Sequence, residues 1–166
     1  MENEKPLSPE SLKIILAMQR NEITEYNIYN KIANRVKDTK NRKTLRDIGA
    51  EELRHSKIWE TYTGIKVKPD GGKIFWYTFL SIIFGYTFAL KLMESGENNA
   101  SHIYAKLEKE VPEAKKISED ENSHEQSLLG VLDEERLQYV GSMVLGLNDA
   151  LVELTGTLAG LTLALQ

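Results

Sequence analysis

No cysteine occurs in the 166 residues. That absence excludes disulfides, zinc ribbons, iron–sulfur clusters and thiol nucleophiles together, and it fits a reducing cytosol. Positive charge is not in excess. The 21 Lys and Arg stand against 25 Asp and Glu, a formal net charge of −4, so the chain carries no electrostatic footprint for nucleic acid. No segment shows the period-two alternation of strands. The N-terminal stretch MENEKPLSPES is polar and lacks an apolar h-region, so no secretory signal is expected. The length suits one domain with a real core and little more.

What is present comes in blocks. Residues 1–73 and 91–136 are strongly charged, residues 74–90 (IFWYTFLSIIFGYTFAL) carry no charge, and from Leu137 onward only Asp149 and Glu153 are charged. Ser8-Pro9-Glu10 has the form of a helix start, with an N-cap hydroxyl, proline at the first helical position and an acid in the first turn. Leu12, Ile15, Leu16, Gln19, Ile23, Tyr26, Ile32 and Ala33 then form a broken helical stripe that the polar run KDTKN (37–41) ends. A second helix is predicted from about 42 to 62, stopped by Gly64 and the loop KVKPDGG. A third is predicted from 73 to about 109, with Gly85 and Gly96 as bending points. A fourth follows Val111-Pro112-Glu113 and runs to about 135, and a fifth, apolar helix follows it. The expected class is all-α.

A weak internal repeat carries the chemistry. Glu22, Ile28, Tyr29, Lys31 and Ile32 can be laid on Glu97, Ile103, Tyr104, Lys106 and Leu107 at an offset of 75. Glu51-Glu52-Leu-Arg-His55 can be laid on Asp120-Glu121-Asn-Ser-His124 at an offset of 69. Each half thus offers a helix with a Glu and then a helix with Glu-x-x-His. Residues three apart share a helix face, so Glu52 and His55 can address one atom, as can Glu121 and His124. Two such halves in a helical bundle give the ligand set of di-iron and di-manganese centres. Carboxylates neutralise and bridge two hard cations, and each imidazole fixes the geometry of one. The metal ligands expected are therefore Glu22, Glu52, His55, Glu97, Glu121 and His124. Ion pairs on exposed helix faces would give the same spacing, so what favours a metal site is the conjunction of both halves.

On these motifs the chain resembles the rubrerythrin-type branch of the ferritin-like superfamily over about residues 8–135. The resemblance implies a ferritin-like four-helix bundle with a long third helix. It implies two Fe ions, with Mn accepted by the same donors, bridged by Glu52 and Glu121 and held terminally by Glu22 and Glu97. Glu94 is a candidate seventh ligand, Tyr29 and Tyr104 are hydrogen-bonding supports of the carboxylates, and Glu25 belongs to the same outer layer. Fe2+ with O2 or H2O2 as reactant, and a homodimer, are further implications. Without cysteine the chain lacks the rubredoxin-like electron relay that full-length rubrerythrin peroxidases carry.

Residues 143–165 (MVLGLNDALVELTGTLAGLTLAL) are long and apolar enough to suggest a bilayer span of about 30 Å, with Gly156 and Gly160 in small-xxx-small spacing. LGLNDALVELTGTLAGL resembles the first transmembrane helix of the vacuolar iron transporter family, in which the carboxylate matching Asp149 lies on the metal path and Glu153 is its companion. The expected organisation is a di-iron domain over residues 1–136 in the cytoplasm. Residues 137–166 would be the first membrane helix of a truncated Fe2+/Mn2+ transporter in the cell membrane. Expected functions are iron binding with oxidation or sensing for export, or else a rubrerythrin-like peroxidase of oxidative stress, or a metal-stabilised dimerisation module without catalysis. The charge-free stretch 74–90 would lie against a dimer partner or on the membrane.

Overall fold

The computed structural model describes residues 7–94, 104, 107, 108 and 110–164. Among them every regular element is a helix: α1 Pro9–Ala33, α2 Thr39–Thr63, α3 Gly71–Ile83, α4 Tyr86–Glu94 and α5 Glu113–Ala164. The chain divides into two compact units, Met1–Val131 and Leu132–Gln166.

Local signals explain most boundaries. Ser8 caps α1 by accepting from the Ser11 backbone N–H, with Pro9 at the first helical position. Asp38 caps α2 by accepting from Asn41 N, and Gly64 closes the helix at φ +63°, a left-handed conformation that costs glycine little. The run KDTKN is therefore a helix start as well as a break, which puts the beginning of α2 ahead of the expected position 42. Asp70 caps α3 in the same way.

Two helix expectations are corrected. The long third helix is interrupted after Ile83, where Phe84 leaves the helix and Gly85 takes φ +89°; a left-handed residue breaks the i to i−4 ladder. The separate fourth and fifth helices are one continuous helix. Nothing between 132 and 140 (LDEERLQYV) is a breaker, and the glycines at 130, 141 and 146 each cost a helix only about 1 kcal/mol.

In the first unit three helices bury a repeating stripe. On α1 it includes Ile15, Gln19, Glu22, Tyr29 and Ala33; on α2, Asn41, Leu45, Ile48, Glu52, His55 and Trp59. On α5 it runs Ala114, Ile117, His124, Leu128 and Val131, with half-buried Glu121 in register. Alternating three- and four-residue steps keep one seam facing the neighbouring helices. Two apolar clusters result. One joins Ile28, Ile32, Leu45, Ile48, Leu80, Leu90 and Leu128. The other joins Ile15, Trp59, Tyr104, Leu107, Val111, Ala114 and Ile117. Glu22, Glu52, His55, Glu121 and His124 fall between these clusters along α1, α2 and α5, so the acids and imidazoles form a polar layer between two apolar ones.

In the second unit the described side chains from Leu145 to Leu158 all face outward. The bilayer span expected over 143–165 is corrected: among the described residues no helix is long and apolar enough to cross a membrane. Asn148, Asp149 and Glu153, with the small and hydroxyl residues Gly146, Thr155, Gly156, Thr157 and Gly160, dilute its leucines. Both Asp149 and Glu153 are exposed, and the space where Gly156 and Gly160 would carry a Cβ is open.

Candidate metal centre

Seam positions in a helical core normally hold Leu, Ile or Val. Here Glu22, Glu52, His55 and His124 occupy them and are buried. Ligand atoms of Glu22, Glu52, His55 and Glu121 all lie within 4.8 Å of one another. The two imidazoles stack with centroids 5.8 Å apart. The structure therefore brings together five of the six expected principal ligands. Glu97 lies outside the described residues, as does the side chain of Glu94 at the end of α4.

Each of two carboxylates offers one oxygen to each imidazole. Glu52 Oε2 is 3.8 Å from His55 Nδ1 and Glu52 Oε1 is 3.0 Å from His124 Nδ1. Glu121 Oε1 is 3.2 Å from His55 Nδ1 and Glu121 Oε2 is 3.7 Å from His124 Nδ1. Both carboxylates therefore lie between the two imidazoles, each with one oxygen toward either ring. Glu22 Oε2 is 3.7 Å from His55 Nδ1. Its other oxygen, Oε1, accepts from the indole N–H of Trp59 at 3.1 Å, which fixes the carboxylate's rotation.

Four buried atoms at the centre make no hydrogen bond: Glu52 Oε2, His55 Nδ1, Glu121 Oε1 and His124 Nδ1. Unsatisfied polar atoms in a core cost about 1–3 kcal/mol each. Here they are a converging set of nitrogen and oxygen donors, the chemistry that a divalent cation satisfies. This buried Glu/His cluster can hold a metal ion.

Residues that hold the donors in place were not apparent from spacing. His55 Nε2 donates to Asp120 Oδ2 at 3.2 Å, and Arg54 donates to the same oxygen. His124 Nε2 donates to Glu51 Oε2 at 2.6 Å. The acid preceding the ligand Glu in each motif thus supports the histidine of the other motif. With Nε2–H engaged, Nδ1 is the atom left to bind a cation, as carboxylate–histidine–metal pairs require. The signal was present in the aligned repeat, where Glu51 and Asp120 occupy equivalent places.

Electrostatics follow from this crowding. Burial, then the proximity and charge of Glu52, hold the Glu22 carboxyl well above the ordinary carboxylate value. Burial would also raise Glu52, but its contacts with Glu22, His124 and His55 overcome that and bring it down to about 2. Burial would lower His55, yet Glu121, Glu22 and Glu52 raise it to about 12. His124 is likewise raised to about 11, against burial, by Glu121, Glu52 and Glu51. Imidazolium forms of His55 and His124 therefore balance the acids, and a metal ion held here would take over that charge.

The outer residues are mixed. Tyr104 is buried and stacks on Trp59 with centroids 6.4 Å apart. Its hydroxyl is held in the neutral form by burial and then by the charges of Glu22, Glu121, Glu52 and Glu25, so Tyr104 stands close to the carboxylates. Tyr29 is buried among Ile28, Ile32, Leu45 and Ile48. Glu25 is half-buried on α1, one turn from Glu22. Asp149 and Glu153 belong to the second unit and are not part of this cluster. Compared with protein-family models, with curated proteins and with solved structures, the chain finds no match in any of the three.

Proposed function

We propose that the first unit is a two-metal carboxylate domain of the ferritin-like, rubrerythrin type, a four-helix bundle that takes up two Fe2+. The observation that carries this is the opposed pair of Nδ1 atoms, each faced by one oxygen of Glu52 and one of Glu121 and each backed by an acid on Nε2. Glu52, Glu121, His55, His124 and Glu22 would hold the metal, with Glu97 and Glu94 as further candidate ligands. Bound iron supplies the electrons for reducing O2 or H2O2. The protein excludes water through the two apolar clusters, fixes both imidazoles in the tautomer that frees Nδ1, and releases their protons as the cations enter. Manganese suits the same donors.

Anaerobic titration with Fe2+, followed by dialysis and metal analysis, should saturate near two per chain. Saturation unchanged in the Glu52→Ala/Glu121→Ala protein would sink the proposal. Oxygen consumption after Fe2+ addition then separates an oxidising centre from a metal that only stabilises the fold, since both raise the melting temperature by mass action.

The setting we propose is iron or manganese export. The supporting observation is that Leu145, Leu147, Leu151, Val152, Leu154, Leu158 and Leu161 are all exposed in the second unit. These residues give the helix an apolar surface for packing against other apolar helices, with Asp149 and Glu153 one turn apart on a shared face. A chain found wholly in the soluble fraction of fractionated cells would remove this setting and leave the metal centre intact.

A further inference from the structure

The segment α3–α4 is apolar on two faces where its fold needs one. Ile74 and Leu80 point into the core, with Tyr77 packed beside them. On the opposite face Phe75, Trp76, Phe79, Ile82 and Ile83 recur at helical spacing, between 43% and 71% exposed. Phe84, Phe88 and Leu92 continue the exposed surface through the break and along α4. The rings group together: Phe75 and Trp76 each lie 6.2 Å from Phe79, and Phe84 lies 5.2 Å from Phe88. Taking aromatic side chains at 150–250 Å² each, the face presents on the order of 800 Å² of apolar surface. Monomers seldom expose a patch that size without a use for it.

Charge selects the occupant. Residues 66–94 hold Lys66, Lys68, Lys73 and Lys91 against Asp70 and Glu94, so four positive and two negative charges give net +2 in a chain of net −4. All four lysines are exposed. An isologous contact with a second copy would bring this positively charged segment against itself. An anionic lipid surface matches it: Lys66 and Lys68 in the loop before α3 and Lys91 on α4 are exposed to meet phosphates, while the ammonium of Lys73 lies 3.4 Å from Asn21 Oδ1 on α1. Tryptophan and tyrosine are the residues most at home at that depth. The thirteen residues of α3 are too short to cross a bilayer but suit a helix lying in the headgroup layer.

We propose that the outward face of α3 and α4 is a membrane-surface anchor that inserts Phe75, Trp76, Phe79 and Phe88 into the headgroup layer of an anionic bilayer. The inference is independent of the metal centre.

Tryptophan fluorescence tests it in the full chain, because the second tryptophan, Trp59, is fully buried and only Trp76 can meet lipid. Vesicles of phosphatidylcholine with phosphatidylglycerol carrying brominated acyl chains should blue-shift and quench the emission. Partitioning should be roughly tenfold or more weaker on pure phosphatidylcholine. Trp76→Phe should still bind but lose the quenching. Phe75→Ser/Phe79→Ser, checked for helix content by circular dichroism, should weaken partitioning by about tenfold or more. Three results would each overturn the proposal. One is no binding to anionic vesicles. Another is vesicle binding with Trp76 unquenched, which places the contact at residues 145–161. The third is a dimer that shields Trp76 and is dissociated by the same double substitution, which makes a second copy the occupant.

Discussion

The two Glu-x-x-His helices supply the same donors at the same spacing but not the same surroundings. On α2, His55 is wholly buried, its supporting Asp120 is 24% exposed at the side chain, and Arg54 clamps that acid. On α5, His124 keeps slight exposure and is supported by Glu51, 47% exposed at the side chain. The cause lies in the repeat itself: the position equivalent to Arg54 is Ser123, which is exposed and has no guanidinium to offer. A duplicated motif thus yields one rigid histidine and one wetter histidine, and on the two-metal reading proposed above the cation beside His55 is expected to bind more tightly.

The largest expected difference between the halves is in the stability of the metal-free protein. His55 is raised to about 12 and His124 to about 11 from the ordinary 6.5. A group whose pKa is raised by folding stabilises the fold fully below its unfolded value, and that contribution fades as pH climbs toward the folded value. At pH 6, with chelator present, both contributions are whole. Removing one partner of a buried charge cluster costs about 3–5 kcal/mol, so His55→Ala should lose about that much in urea unfolding. His124→Ala, at the wetter position, should lose about half as much. The gap between each variant and the parent should narrow as the pH is raised above 6.5. Equal losses for the two variants at pH 6 would break the comparison.

Metal affinity sharpens it at a smaller scale. Asp120→Asn leaves Arg54 without its acid and weakens the hold on the Nε2 of His55, which is expected to cost about 10–100-fold in the affinity of one cation. Glu51→Gln removes a support that water can replace at a half-exposed site, so the other cation should weaken by only a few-fold. Competition with a chromogenic chelator reads both. A larger loss in Glu51→Gln than in Asp120→Asn would reverse the assignment of the tight position.

How legible this was differs by level. The helical class, the caps at Ser8 and Gly64, and the pairing of Glu52 with His55 and Glu121 with His124 follow from spacing, because a helix face depends only on local periodicity. That five of these donors meet required three helices to share a seam, and the regular Leu45, Ile48, Glu52, His55, Trp59 progression carries that information. The exchange of supports, Glu51 to His124 and Asp120 to His55, was not legible. It depends on how two helices pass each other, which no single motif encodes. The break at Gly85 was marked by the glycine but not its sharpness. The merging of two expected helices into α5 was missed because the change from charged to apolar residues near Leu137 resembles a boundary, whereas the backbone responds to breakers rather than to polarity.

The smallest effect separates the halves by packing alone. Gly49 on α2 lies where α1 comes close: a Cβ there would be 3.2 Å from Tyr29 Cβ and 3.3 Å from Asn30 Nδ2. The equivalent position on α5 is Ser118, which is half-buried and already carries a side chain. At Gly49 the gain of about 1 kcal/mol in helix propensity from alanine is opposed by a contact with the Tyr29 Cβ stem that cannot swing away. Overpacking of this kind costs about 1–3 kcal/mol. Gly49→Ala should therefore be neutral to about 2 kcal/mol destabilising despite the better helix former, while Ser118→Ala should stay within about 0.5 kcal/mol. Thermal melts of the two variants under one buffer decide it. A clear stabilisation by Gly49→Ala would mean that α1 and α2 yield at this crossing, and with them the backbone that presents Glu52 and His55, so the α2 position could no longer be called the rigid one.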